Sequence, residues 1–143
     1  MLTDKLSLTG ALTISRNGEV VREIKNLVVT SGKALVAANL QGDNVNPIGY
    51  MALGTGTTAA ALSDTALEVE LDRNGLTNPG GTVSGAVVTY EATWAPGDGT
   101  GAITEAGLFT ANSGGTMLAR TVFPVVNKGA DDTITVVWDV TIS

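Results

Sequence analysis

The stretch ITVVWDVTIS, residues 134–143, decides the fold class. Ile134, Val136, Trp138, Val140 and Ile142 alternate with Thr135, Val137, Asp139 and Thr141. A period of two sets the first group on one face and the second on the other, which is the mark of a half-buried β-strand. β-branched side chains dominate the stretch; they fit a pleated surface and lose rotamer freedom in a helix. A strand so well patterned is expected to lie inside a sheet.

The same chemistry extends outward from it. Threonine and valine make up 36 of the 143 residues, and 18 glycines fall in clusters at strand-and-turn intervals. Working back towards the start, short strands are expected at Met117–Phe123, with a brief Val125–Val126 extension past Pro124, at Gly107–Thr110 and at Ala102–Ile103. Val83–Trp94 reads as one long strand, with Ala86, Val88, Tyr90, Ala92 and Trp94 sharing a face. In Leu67–Arg73, Leu67, Val69 and Leu71 alternate with Glu68, Glu70 and Asp72, again a strand, and Ile48–Leu53 is another. The helix candidate is Gly32–Leu40, with Thr30 or Ser31 to cap its first amides and Gly42 placed for a left-handed stop. At Lys5–Ile14 the alternation of Leu6, Leu8, Leu12 and Ile14 leads into a hairpin at Arg16-Asn17-Gly18. A two-residue Asn-Gly loop would set Leu12 opposite Glu23. A three-residue loop, setting Ile14 opposite Val20 and Gly10 opposite Ile24, is therefore preferred.

Eight to ten strands and one short helix, with no helices alternating between strands, predict an all-β antiparallel β-sandwich of jelly-roll-like type. Residues 1–143 read as a single domain, with residues 1–4 (Met1, Leu2, Thr3 and Asp4) as a short N-terminal arm suited to contact a neighbouring subunit. The opening MLTDKLSLTG does not read as a signal peptide, and no run nears the roughly 20 apolar residues that span a bilayer. Synthesis in a cytoplasm is the expectation.

Composition narrows function. The chain has no histidine, which removes the imidazole from every triad, acid–base pair and His-liganded metal site. It has no cysteine either, so disulfides and thiolate metal sites are excluded. Eight basic against fourteen acidic residues give a net charge of −6, and Arg120 is the one cation between Asn74 and Asn127. Such a chain offers no basic stripe for phosphates or anionic lipids, so neither nucleic acid nor membrane is an expected partner.

The segments that could carry chemistry each have a simpler reading. Gly54-Thr55-Gly56-Thr57-Thr58 lacks the Gly-Lys-Ser/Thr ending of a phosphate loop and reads as a tight turn at a strand end. Gly97-Asp98-Gly99-Thr100-Gly101 and Asp43-Asn44-Val45-Asn46 each offer one carboxylate, short of what calcium requires, and Asp131-Asp132 reads as a hairpin tip. Glu68, Glu70 and Asp72 would stand about 7 Å apart along a strand, a spacing used in glycoside hydrolysis, but ion pairing with Arg73 and other cations is the plainer outcome. No catalytic, cofactor or metal residue is assigned. Arg120, inside the apolar run Met117–Phe123, must face outward or be paired, with Glu105 or Glu70 as partner; stripping a buried guanidinium of its partner costs about 3–5 kcal/mol. Glu70, Arg73, Glu105 and Arg120 are thus structural ion-pair candidates.

Taken in order, MALGTGTT, LEVELDR, ITEAGLF, MLARTVFPVVNK and ITVVWDVTIS resemble a set of small bacteriophage virion proteins, of the head-decoration and tail-fibre-like β-sandwich type. The likeness runs from about Gly32 to Ser143, and the opening hairpin is also similar. It implies a non-enzymatic virion module on the outer surface of the particle, and within it Glu70, Arg73 and Glu105–Phe109 look like scaffold. A capsid decoration (cement) protein, a homotrimer seated between major capsid protein subunits, is the leading expectation, with apolar contact from sheet faces carrying Val137, Trp94 or Phe123. A small tail, baseplate or fibre-adaptor protein is the alternative. A glycan-binding sandwich for host attachment is a further one, although Trp94 and Trp138 fall on apolar strand faces and read as core rather than as sugar platforms.

Overall fold

The alternation of residues 134–142 is realised as the last strand of a single nine-stranded antiparallel sheet, seen in a computed structural model that describes residues 6–42 and 47–143. In chain order the elements are β1 (Leu8–Arg16), β2 (Glu19–Val28), α1 (Thr30–Gln41), β3 (Tyr50–Gly54), β4 (Glu70–Gly75), β5 (Thr82–Ser84), β6 (Val87–Trp94), β7 (Gly101–Phe109), β8 (Met117–Lys128) and β9 (Ile134–Ile142). Their order across the sheet is β4-β3-β7-β8-β2-β1-β9-β6-β5. Among the described residues no helix is long and apolar enough to cross a membrane.

The sheet curls on itself. Its two halves are joined where β2 leaves β1 and pairs with β8 through Leu27↔Arg120 and Val28↔Ala119. Elsewhere along that seam side chains stand in for the ladder: Arg22 donates to the carbonyls of Pro124 and Val125, and the Thr121 hydroxyl to that of Lys25. The curl brings the far end back to β6, where Thr77 N donates to Glu91 O (2.8 Å) and Asn74 Nδ2 to Thr93 O (2.9 Å). Asn78 both donates to Thr89 O and accepts from Glu91 N, as a strand backbone would. Inside the curl lies one apolar core, with Leu12, Ile14, Trp94, Val136 and Trp138 from one half and Met51, Leu53, Leu108 and Val126 from the other.

Several local expectations are corrected. The opening hairpin turns on two residues, Asn17 (φ 53°) and Gly18 (φ 85°), both in the left-handed region that matches the strand twist. The mismatch this would create is removed by a bulge between Ile14 and Ser15, beyond which Leu12 opposes Ile24 and Ile14 opposes Arg22. The helix is longer than expected, and neither Thr30 nor Ser31 caps it; the N-cap is Val29, and the Ser31 hydroxyl instead donates to Met117 O. Gly42 does supply the left-handed stop, at φ 87°. Val83–Trp94 is a hairpin rather than one strand, broken at Gly85 (φ 58°) and Ala86. Conversely, the short pieces expected around Gly107 and Met117 are two long continuous strands, with Pro124 lying within β8. Strand β4 starts only at Glu70, so Leu67 and Val69 lie in the loop before it, and Val69 and Leu71 are exposed.

Candidate functional site

The densest polar cluster is built on the sheet face that turns away from the core. On β3 and β7, Met51, Leu53, Ala106 and Leu108 point into the core; Ala52, Glu105, Gly107 and Phe109 occupy the intervening positions. Arg120 on β8 is paired with Gly107 and so shares that outer face. Residues 55–69, which have no helix or strand of their own, cover it.

Glu105 is fully buried and accepts five hydrogen bonds. Its Oε1 takes the amides of Gly56 (3.0 Å) and Val69 (2.7 Å). Its Oε2 takes the amide of Glu68 (3.0 Å) and both Nε and Nη2 of Arg120 (3.0 and 2.8 Å). Arg120 also donates to Asp64 Oδ2 (2.9 Å) and to the carbonyl of Thr58 (3.0 Å). Burial alone would lower the guanidinium's pKa; the bonds and charges of Glu105 and Asp64 outweigh it and hold Arg120 above the ordinary arginine value.

The glycine-rich turn at 54–58 does cradle anions, and they are the chain's own carboxylates. Besides Gly56 on Glu105, the amides of Thr57 and Thr58 donate to Glu68 Oε1 (2.9 and 3.1 Å), and the Thr58 hydroxyl donates to Glu68 Oε2. That hydroxyl first, then the two amides, hold Glu68 below the usual carboxylate range. Only glycine fits: a Cβ on Gly56 would lie 2.5 Å from Glu68 Cβ and 2.6 Å from Glu105 Oε1, and one on Gly54 would lie 2.4 Å from Val69 O.

The structure therefore brings Glu105 to Arg120 and leaves Glu70 elsewhere. Glu70 pairs with Arg73 at 2.5 Å, so the alternative of Glu70 as partner to Arg120 is corrected. Arg73 stacks 3.7 Å over the Phe109 ring and donates from Nη1 to the carbonyls of Ala111 and Gly114, both at 2.9 Å, clamping the β7–β8 turn. Glu68, Glu70 and Asp72 do not share a strand face, because Glu68 precedes β4 and turns back to Thr57 and Thr58. At the tip of the β8–β9 turn Asp132 accepts from Asn17 and from the Gly129 amide; those two bonds, in that order, keep it below its usual range. Trp94 and Phe123, offered above as contact surface, are buried, whereas Val137 is half-buried. Met1, Leu2, Thr3 and Asp4, and the Asp43–Asn46 segment, lie outside the described residues.

Sequence reasoning missed Asp64, the role of Glu68 and the burial of Lys128. Lys128 is 2 % exposed and places its ammonium on the carbonyl of Ala95 at 3.0 Å. For Lys128 a signal existed, since it falls on the same face of its strand as Val126. Among the described residues no group of three or more metal-ligating side chains converges. The arrangement is chemically that of a structural hub, a carboxylate meeting three amides and a guanidinium. No protein-family model matches this chain, and no curated protein or solved structure does either.

Proposed function

We propose that this chain is a non-enzymatic virion structural protein of a bacteriophage, a capsid decoration subunit that adds interface between major capsid protein subunits on the outside of the head. One observation carries the reading. The charged side chains best placed for chemistry are spent on holding the fold: Glu105 and Asp64 on Arg120, and Glu70 on Arg73. The ordered likeness of its segments to small phage virion proteins supplies the particle. We read the curl as a β-sandwich made from one continuous sheet, because strands of both halves contribute side chains to one core. Homotrimer formation belongs to the same proposal.

Imaging of phage particles with and without the protein tests it. Knobs on the shell at hundreds of copies are the expected result. Density confined to the tail at about six or twelve copies, the symmetry numbers of closed rings, would replace decoration by a tail or adaptor role. Particles that never incorporate the chain would remove both.

A further inference from the structure

We infer that residues 55–69 form a latched strap that opens as one unit, ahead of the rest of the fold, and uncovers an apolar patch on the outer face of β3, β7 and β8. The strap is closed at its base, where Thr55 N donates to Val69 O at 2.9 Å. Compact surface loops with their ends together are units packed by their own side chains, and local opening proceeds in such contiguous cooperative units. Its attachments at both ends converge on a single side chain: Gly56 from the start, Glu68 and Val69 from the end, all on Glu105. Its middle is held by Asp64 and the Thr58 carbonyl on Arg120, which itself is fixed by Glu105. Outside the hub the strap is tied to the rest of the fold by Thr30 N on the Leu62 carbonyl (2.9 Å) and the Thr104 hydroxyl on the Gly56 carbonyl (2.7 Å), so breaking the hub removes most of its polar attachments.

Apolar anchoring is slight by comparison. Leu67 is the strap's one buried large side chain; Leu62 is 49 % and Val69 51 % exposed. Leu67 packs in a cluster with Val29, Ala52, Phe109 and Met117, separate from the main core. It reaches the sheet over Gly107, where a Cβ would meet Leu67 Cδ2 at 3.0 Å, Phe109 Cε2 at 2.9 Å and Met117 Cε at 3.3 Å. Segments with few buried apolar contacts open below the global free energy. Opening of this one uncovers the face that Leu67 packs on, at Ala52 and Met117, with Arg73 still over the Phe109 ring, while the core inside the curl stays shut.

The chain lacks cysteine, so a single introduced thiol reports each state. Ala52→Cys lies under the strap and Ala92→Cys lies in the main core, both at fully buried positions. Under native conditions A52C should be labelled by a thiol reagent about tenfold or more faster than A92C, the ratio expected of a sub-global opening. Adding Val136→Ala, which weakens only the main core, should accelerate A92C and leave A52C unchanged. Adding Glu105→Gln should accelerate A52C. Equal rates for the two thiols, or V136A accelerating both alike, would overturn the strap, and both comparisons stand even where E105Q fails to fold. E105Q leaving A52C unchanged would overturn the latch.

Discussion

Glu105→Gln changes almost no volume and removes one charge, so its effect measures the hub itself. A carboxamide presents one acceptor oxygen and an NH2 with two donor hydrogens where the carboxylate presented two acceptor oxygens. Its least costly orientation keeps the oxygen against Arg120 and Glu68 N and turns the NH2 towards the amides of Gly56 and Val69. Each buried donor so orphaned costs about 1–3 kcal/mol, giving about 2–6 for the pair. Breaking a buried ion pair from one side costs about 3–5 kcal/mol, and the two routes agree. With an unfolding entropy near 2.1 cal/mol/K per residue, a chain of this length loses roughly 10–17 °C in Tm. Thermal or urea unfolding followed through the buried Trp94 and Trp138 gives the number, and a loss below about 1 kcal/mol refutes the hub.

A double variant separates the roles of the carboxylate. Replacing a buried ion pair by apolar side chains is often neutral, so Glu105→Leu with Arg120→Met should recover stability if Glu105 served only the guanidinium. The geometry gives the opposite expectation, because Gly56, Glu68 and Val69 would still lack an acceptor. Recovery to the level of the unaltered chain would show that the amide bonds carry little.

Two further outcomes are checked by simple measurements. Gly32→Ala, which in an open helix gains about 1 kcal/mol, should here cost on the order of 1–3 kcal/mol by overpacking, since its Cβ would sit 2.1 Å from Leu118 O; a raised Tm would contradict the packing of α1 on β8. Thr58→Val removes the hydroxyl that does most to depress Glu68. A carboxylate depressed in the folded state adds stability above its unfolded pKa and loses it as pH falls from that value through the folded one, so the variant's pH-dependent loss should be smaller and complete at higher pH. Side-chain NMR titration should show Glu68 moving up towards the ordinary carboxylate value, and an unmoved titration would refute the assignment.

The inward half of the fold was legible because alternation is a local property. Residues 134–142 announced β9, and the core positions of β1, β6 and β9 follow the same rule of two. Register was less legible. Asn17-Gly18 indicates its own turn, but the extra β2 residue that restores Leu12 to Ile24 has no marker in composition, since a bulge is set by pairing between strands. Gly10 is of the same kind: a Cβ there would lie 1.5 Å from Asn26 Oδ1, the atom that accepts the indole N–H of buried Trp138. Nothing near Gly10 in the sequence points to a residue sixteen positions on.

The outer face explains the remaining differences. Reading β7 and β8 by alternation assumes that one face meets water, so Glu105, Gly107 and Arg120 look like interruptions and the strands appear short. A loop covers that face at Glu105 and Arg120. A covering loop without helix or strand carries amides that have no ladder to join, and burying them unpaired is costly. A carboxylate is the one side chain that accepts several such amides at once while pairing with a guanidinium. The Glu-to-Arg pairing could be proposed from sequence because charge in an apolar strand demands a partner. That three backbone amides also converge on the same two oxygens could not, because the demand arises in residues 55–69 and is met by a residue 36 positions beyond Val69.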